Sequence, residues 1–143
     1  MRTLEDEPKV LIEIEESWAI VLGFPTADAT IARGQLVKLN ADGTVSKCAA
    51  TTDRPIGHVA SAYKGTDAGN VRVMTHFVAH YTNAYSDGVT DEGQMVACSG
   101  VHTDGTPKFK VAATGDYAIG MVTKGGANAT GISVGLLRMA QKV

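Results

Sequence analysis

The sequence predicts an all-β domain, a small barrel or sandwich built from two related strand-hairpin units, with an extended N-terminal arm. Ala, Gly, Thr and Val make up 65 of the 143 residues and aromatic residues only eight, a composition typical of short strands and tight turns. No stretch combines helical periodicity with helix-capping residues. The third observation, an internal repeat, divides the chain into the two units.

The internal repeat covers residues 34–59 and 93–122. Both copies begin with Gly-Gln and two apolar residues, and continue with Asp-Gly-Thr, Ala-Ala-Thr and Ile-Gly-x-Val in the same order. Each copy then reaches a strand that begins with glycine, which extends the units to residues 34–75 and 93–138. Because each unit has an open edge, we expect the two units to cover one another.

Each copy predicts a β-hairpin followed by a third strand. An Asp-Gly dipeptide between two apolar runs is a strong turn signal, because glycine tolerates positive φ. The Ile-Gly-x-Val element is the third strand, and its glycine allows a close backbone approach or a bulge. The expected hairpin pairs are Leu36–Leu39 with Thr44–Cys48, and Val96–Cys98 with Phe109–Ala112.

Between the copies, the segment from Val71 to Tyr85 alternates along its whole length and predicts one long strand. Apolar side chains lie on both of its faces, more than one small core needs, so we expect it to leave the core and meet another surface. Assembly of several copies with closed symmetry would bury the surplus apolar side chains. The candidate oligomer-interface residues are Phe77, Val78, Tyr81 and Tyr85.

Residues 1–26 form the predicted arm and lead-in strand, and residues 27–143 the single β domain. The first 16 residues carry six acids and two bases. Their partial alternation suits an edge strand or an arm that pairs with another molecule, and a frayed terminus is the alternative. The candidate partner-contact residues are Val10, Ile12, Glu13, Ile14, Glu15 and Glu16.

Charge and composition exclude several function classes. The net charge of −2 gives no basic excess for nucleic-acid binding. The uncharged run from Ser17 to Ala27 is too short to span a bilayer and follows an acidic segment, so we expect neither membrane insertion nor Sec export. Two cysteines make neither a disulfide scaffold nor a four-ligand zinc site.

No catalytic or metal motif stands out. On one strand, His76 and His80 share a face but lie about 13 Å apart, too far to hold one ion together without further ligands. Asp91, Glu92 and Asp104 stand beside glycines, where carboxylates favour turn geometry rather than acid–base chemistry. We therefore expect a protein that is not an enzyme, with no cofactor and no metal.

The repeated order of strand signals resembles the small capsid decoration, or cement, proteins of tailed bacteriophages. The segments that carry the resemblance are Ile31–Val37, Ala41–Val45, Ala49–Thr51, Ile56–Val59 and Tyr117–Val122. The likeness covers about residues 27 to 138. It implies a β-tulip-like fold and a virion protein on the outer capsid surface, made in the host cytoplasm.

The resemblance also implies the partners. Such proteins bind the major capsid protein, often as homotrimers, and clamp neighbouring capsomers, and their terminal arms often add a strand to the capsid protein. An alternative is a head-fibre or surface module that binds a host glycan or receptor through His80, Tyr81 and Tyr85. A small β enzyme or metal protein that uses His76 is a third possibility.

Overall fold

The protein is all-β in a computed structural model that describes residues 12–14, 20–62, 70–76 and 79–143. These residues contain no helix, and so none that could cross a membrane. The strands are β1 (Ile12–Ile14), β2 (Ile20–Pro25), β3 (Leu36–Leu39), β4 (Val45–Lys47), β5 (Pro55–Ala62), β6 (Asn70–His76), β7 (Ala79–Ser86), β8 (Met95–Val101), β9 (Pro107–Val111), β10 (Tyr117–Lys124) and β11 (Gly131–Lys142).

The strands form two sheets of five and six strands with the same internal order. The first sheet runs β2-β6-β5-β3-β4, and the second runs β1-β7-β11-β10-β8-β9. Without β1, every strand of the first sheet has a counterpart at the same place in the second. We call β2–β6 the first half and β7–β11 the second half. The predicted fold class, with its two related units, is confirmed.

Both predicted hairpins are present and turn in the same way. Gly43 and Gly105 have φ values of 84° and 92°, in the left-handed region that glycine adopts without strain. The carboxylate before each glycine accepts the backbone N–H two residues ahead, from Thr44 at 3.0 Å and from Thr106 at 2.9 Å. Val37 and Val96 then pair with Gly57 and Gly120, so the third strands also correspond.

The segment from Val71 to Tyr85 departs from its prediction. It supplies two strands in different sheets, β6 and β7, rather than one continuous strand. Its alternation also changes phase, because Tyr81 and Ala84 of β7 pair with Val134 and Ile132, which leaves one extra residue in β7. This bulge turns both Tyr81 and Ala84 into the core.

Each half has its own apolar cluster. The cluster of the first half consists of Ile31, Val37, Val45, Val59, Val71 and Val73. The cluster of the second half contains larger side chains, including Tyr81 and Phe109 with ring centroids 5.6 Å apart. Leu36 and Cys48 of the first half also belong to this second cluster, so the two halves pack against each other there. We call this contact between the halves the joint.

Candidate docking surface

Three residues of the predicted arm form the edge strand of the second sheet. Ile12, Glu13 and Ile14 pair antiparallel with Tyr81, His80 and Ala79 of β7. The expected strand character is therefore present, and its partner is this chain's own sheet. Val10, Glu15 and Glu16 lie outside the described residues. Contact of the arm with a capsid stays a prediction.

The candidate interface residues of β7 have different environments. Tyr81 is fully buried, and its hydroxyl donates a hydrogen bond to the backbone carbonyl of Gly34 in the first half. Its side chain therefore joins the two halves, and no part of it is left for a neighbouring molecule or a glycan. Tyr85 is half-buried and stacks on His102 with ring centroids 4.2 Å apart. Phe77 and Val78 lie outside the described residues.

Strand β2 offers an edge that the candidate residues did not include. It pairs with β6 along Ile20–Pro25, and no described strand pairs with its other side. The strand has no charged residue, and Leu22 is 48% exposed. Natural edge strands often carry charges, prolines or bulges that block pairing with other chains; β2 has a register shift at Ile20 and Val21 and ends in Pro25, but it has no charge along its length. In the sequence, the signal for this uncharged edge strand is the run without charges from Ser17 to Ala27.

An apolar cavity of about 510 Å³ opens beside this edge in the first half. Leu39 and Met139 at its mouth are 50% and 56% exposed. The tail of β11 reaches across to the first half here. The lining residues are Phe24, Leu39, Arg54, Pro55, Ile56, Thr75, Met139 and Ala140.

The first half differs from the second in one buried side chain and in how its sheet closes. Val45 and Leu39 pair with each other, as Phe109 and Cys98 do at the corresponding positions. A valine thus stands where the second half has a phenylalanine. The second half also closes on itself, because β7 pairs in parallel with β9. At the corresponding place in the first half, the Thr26 hydroxyl donates to the Val45 carbonyl at 2.8 Å.

The carboxylates at the ends of the repeats hold turns. Asp53 accepts hydrogen bonds from the backbone N–H groups of Ala49 and Ala50, and forms an ion pair with Lys38 at 3.0 Å. Burial raises the pKa of Asp53, but these hydrogen bonds and Lys38 outweigh it and leave the pKa lowered. Asp116 holds the matching turn and accepts the Thr51 hydroxyl across the joint at 2.8 Å.

The cysteine thiols and the histidine and acidic side chains of the described residues form no metal-binding group. Burial raises the pKa of Cys98 to about 12 and that of Cys48 further, so both thiols stay protonated and unreactive. His80 Nε2 lies 2.7 Å from the hydroxyl oxygen of Thr123. Among the described residues, no group of three or more histidine, cysteine or acidic side chains could hold a metal ion.

Comparison of the chain with models of known protein families gives no match, and comparison with curated protein sequences gives none either. The geometry is therefore what distinguishes candidate functions. It provides an uncharged edge strand and an apolar cavity mouth, both of which are suited to binding another polypeptide.

Proposed function

We propose that this chain is a structural, non-enzymatic protein of a tailed-bacteriophage virion. It binds the outer surface of the capsid through the major capsid protein and clamps neighbouring capsomers. The resemblance of the repeated strand signals to capsid decoration proteins supports this proposal. The structural observation that supports it is the outer edge of β2, which is uncharged, partly exposed and unpaired with any strand among the described residues.

An uncharged edge strand binds an extended segment of another protein by adding it to the sheet. The backbone N–H and C=O groups of the edge then pair with the partner, while side chains on alternate positions give specificity. Several such contacts around one capsomer raise the effective affinity through local concentration. A protein that binds only the assembled shell stabilises that shell by mass action.

The test uses undecorated, expanded shells of the phage that encodes the chain. Wild-type protein is expected to co-sediment with the shells, to appear as protrusions in electron microscopy, and to raise their disruption temperature. Leu22→Lys is expected to weaken binding by about ten-fold or more, because an edge lysine opposes strand addition. Val89→Lys is the matched control, since Val89 is 67% exposed and lies outside the strands.

A separate variant tests whether the N-terminal arm contacts the shell. Deletion of residues 2–11 leaves the paired strand β1 in place and removes only the segment before it. Weaker shell binding with unchanged thermal unfolding would assign contacts to that segment. Wild-type protein that fails to bind the shells under any condition would contradict the proposed function itself.

A further inference from the structure

The two halves of the chain touch through a cross-strand row on the outer face of the first half. Leu36 lies opposite His58, and His58 lies opposite Met74. Leu36 and His58 are buried, and Met74 packs against the apolar cluster of the second half. This row, which we call the first row, is therefore one side of a joint between two similar sheets.

The second half carries the corresponding row. Met95 lies opposite Met121, and Met121 lies opposite Gly135, in the same register and on the same strands of the repeat. This second row has no ionisable side chain, and the described residues cover it less completely than they cover the first row. Met121 is 43% exposed, whereas His58 at the same position of the first row is buried.

Three residues of the buried cluster that contains Leu36 also have counterparts in the first half. Cys98, Ile119 and Leu136 belong to the cluster that contains Leu36. By register, their counterparts in the first half are Leu39, Ile56 and Thr75, and all three line the apolar cavity. The chain thus has one joint inside it, and both sides of that joint have counterparts by register that are partly exposed, at Met121 and at Leu39.

We propose that a second copy of this chain docks head to tail, with its second row seated on the cavity mouth around Leu39 and Met139. In this contact the second row of one copy takes the place that the first row has in the joint. The first half of the other copy takes the place that the second half has there. Such a contact uses different patches on the two partners, so it builds a ring where the rotation closes. The proposal concerns the purified protein alone and does not depend on the proposed function.

The first test is disulfide crosslinking between two variants. Leu39→Cys and Met121→Cys chains, one of them carrying a mass tag, are mixed under mild oxidation. Both native thiols are buried and do not interfere. Head-to-tail docking gives the mixed disulfide in large excess over either homodimer. Predominant Leu39→Cys homodimers would overturn the proposal, because they would show a symmetric contact.

The second test is charge exchange, read by sedimentation velocity over a range of protein concentrations. Leu39→Asp and Met121→Lys are each expected to weaken self-association by about ten-fold or more, since each places a charge in an apolar contact. Mixing the two variants is expected to restore part of the association. Val89→Asp is the matched control and associates like wild type. A wild-type chain that stays monomeric throughout would also overturn the proposal.

Discussion

A fall in pH from 7.5 to 5 is expected to destabilise this protein through one buried histidine. His58 lies in the joint between the halves, and burial lowers its pKa from the ordinary 6.5 to about 4. The charge of Arg33 also lowers the pKa, while a backbone hydrogen bond with Val59 raises it. The imidazole is therefore neutral in the folded protein at pH 5 but protonated in the unfolded chain.

The size and sign of the effect follow from proton linkage. Well above pH 6.5 both states hold neutral His58, and its contribution to stability is complete. Between pH 6.5 and 4 the unfolded chain binds a proton that the folded protein does not, so stability falls as pH falls. The two pKa values are about 2.5 units apart, which corresponds to about 3 kcal/mol in all and about 2 kcal/mol by pH 5.

Urea denaturation followed by circular dichroism at pH 7.5, 6 and 5 measures this loss. His58→Met places at this position the residue that the second half has, Met121, and is expected to remove most of the pH dependence. At pH 7.5 its free energy of unfolding should stay within about 1.5 kcal/mol of wild type. His102→Asn, which removes the half-buried histidine that stacks on Tyr85, is the control and keeps the loss. An equal loss in His58→Met would refute the role of His58.

Two further predictions concern the backbone approach in the repeat and the joint. Gly57→Ala is expected to lower the free energy of unfolding by about 3 kcal/mol or to prevent folding, because the new Cβ would lie 2.0 Å from the Met74 carbonyl oxygen. Gly23→Ala is the control: its Cβ would meet nothing within 4 Å, so the free energy of unfolding should change by less than about 1 kcal/mol. Equal stability of the two variants in urea would show that no close approach exists. Tyr81→Phe keeps the buried ring but leaves the Gly34 carbonyl without its donor, so a loss of about 1–2 kcal/mol is expected in the same assay; no loss would mean that this bond does not hold the joint.

The sequence predicted the hairpins and the third strands because their signals are local. An Asp-Gly pair specifies its turn through the carboxylate and the freedom of glycine, whatever surrounds it. Repetition of the same signals in the same order predicted two related units, and the register of Val37 with Gly57 and of Val96 with Gly120 confirmed them. The uncharged stretch around β2 was also visible in the sequence, although it was not recognised as an edge that no described strand pairs with.

The tertiary structure decided the features that depend on distant residues. The alternation from Val71 to Tyr85 could not show that the chain changes sheets between His76 and Ala79, because both strands have the same period. One extra residue in β7 after Tyr81 reversed the faces and buried Ala84 on the same side as Tyr81, which no period-2 pattern reveals.

The sequence by itself therefore determined the turns, the repeat and the all-β class, which follow from the chemistry of neighbouring residues. Only the tertiary structure decided which apolar faces cover each other. Leu36 and Met95 occupy the same place in the repeat, yet Leu36 is buried in the joint and Met95 is only half-buried. Burial of such positions is a property of how two sheets pack, and identical local signals cannot encode that difference.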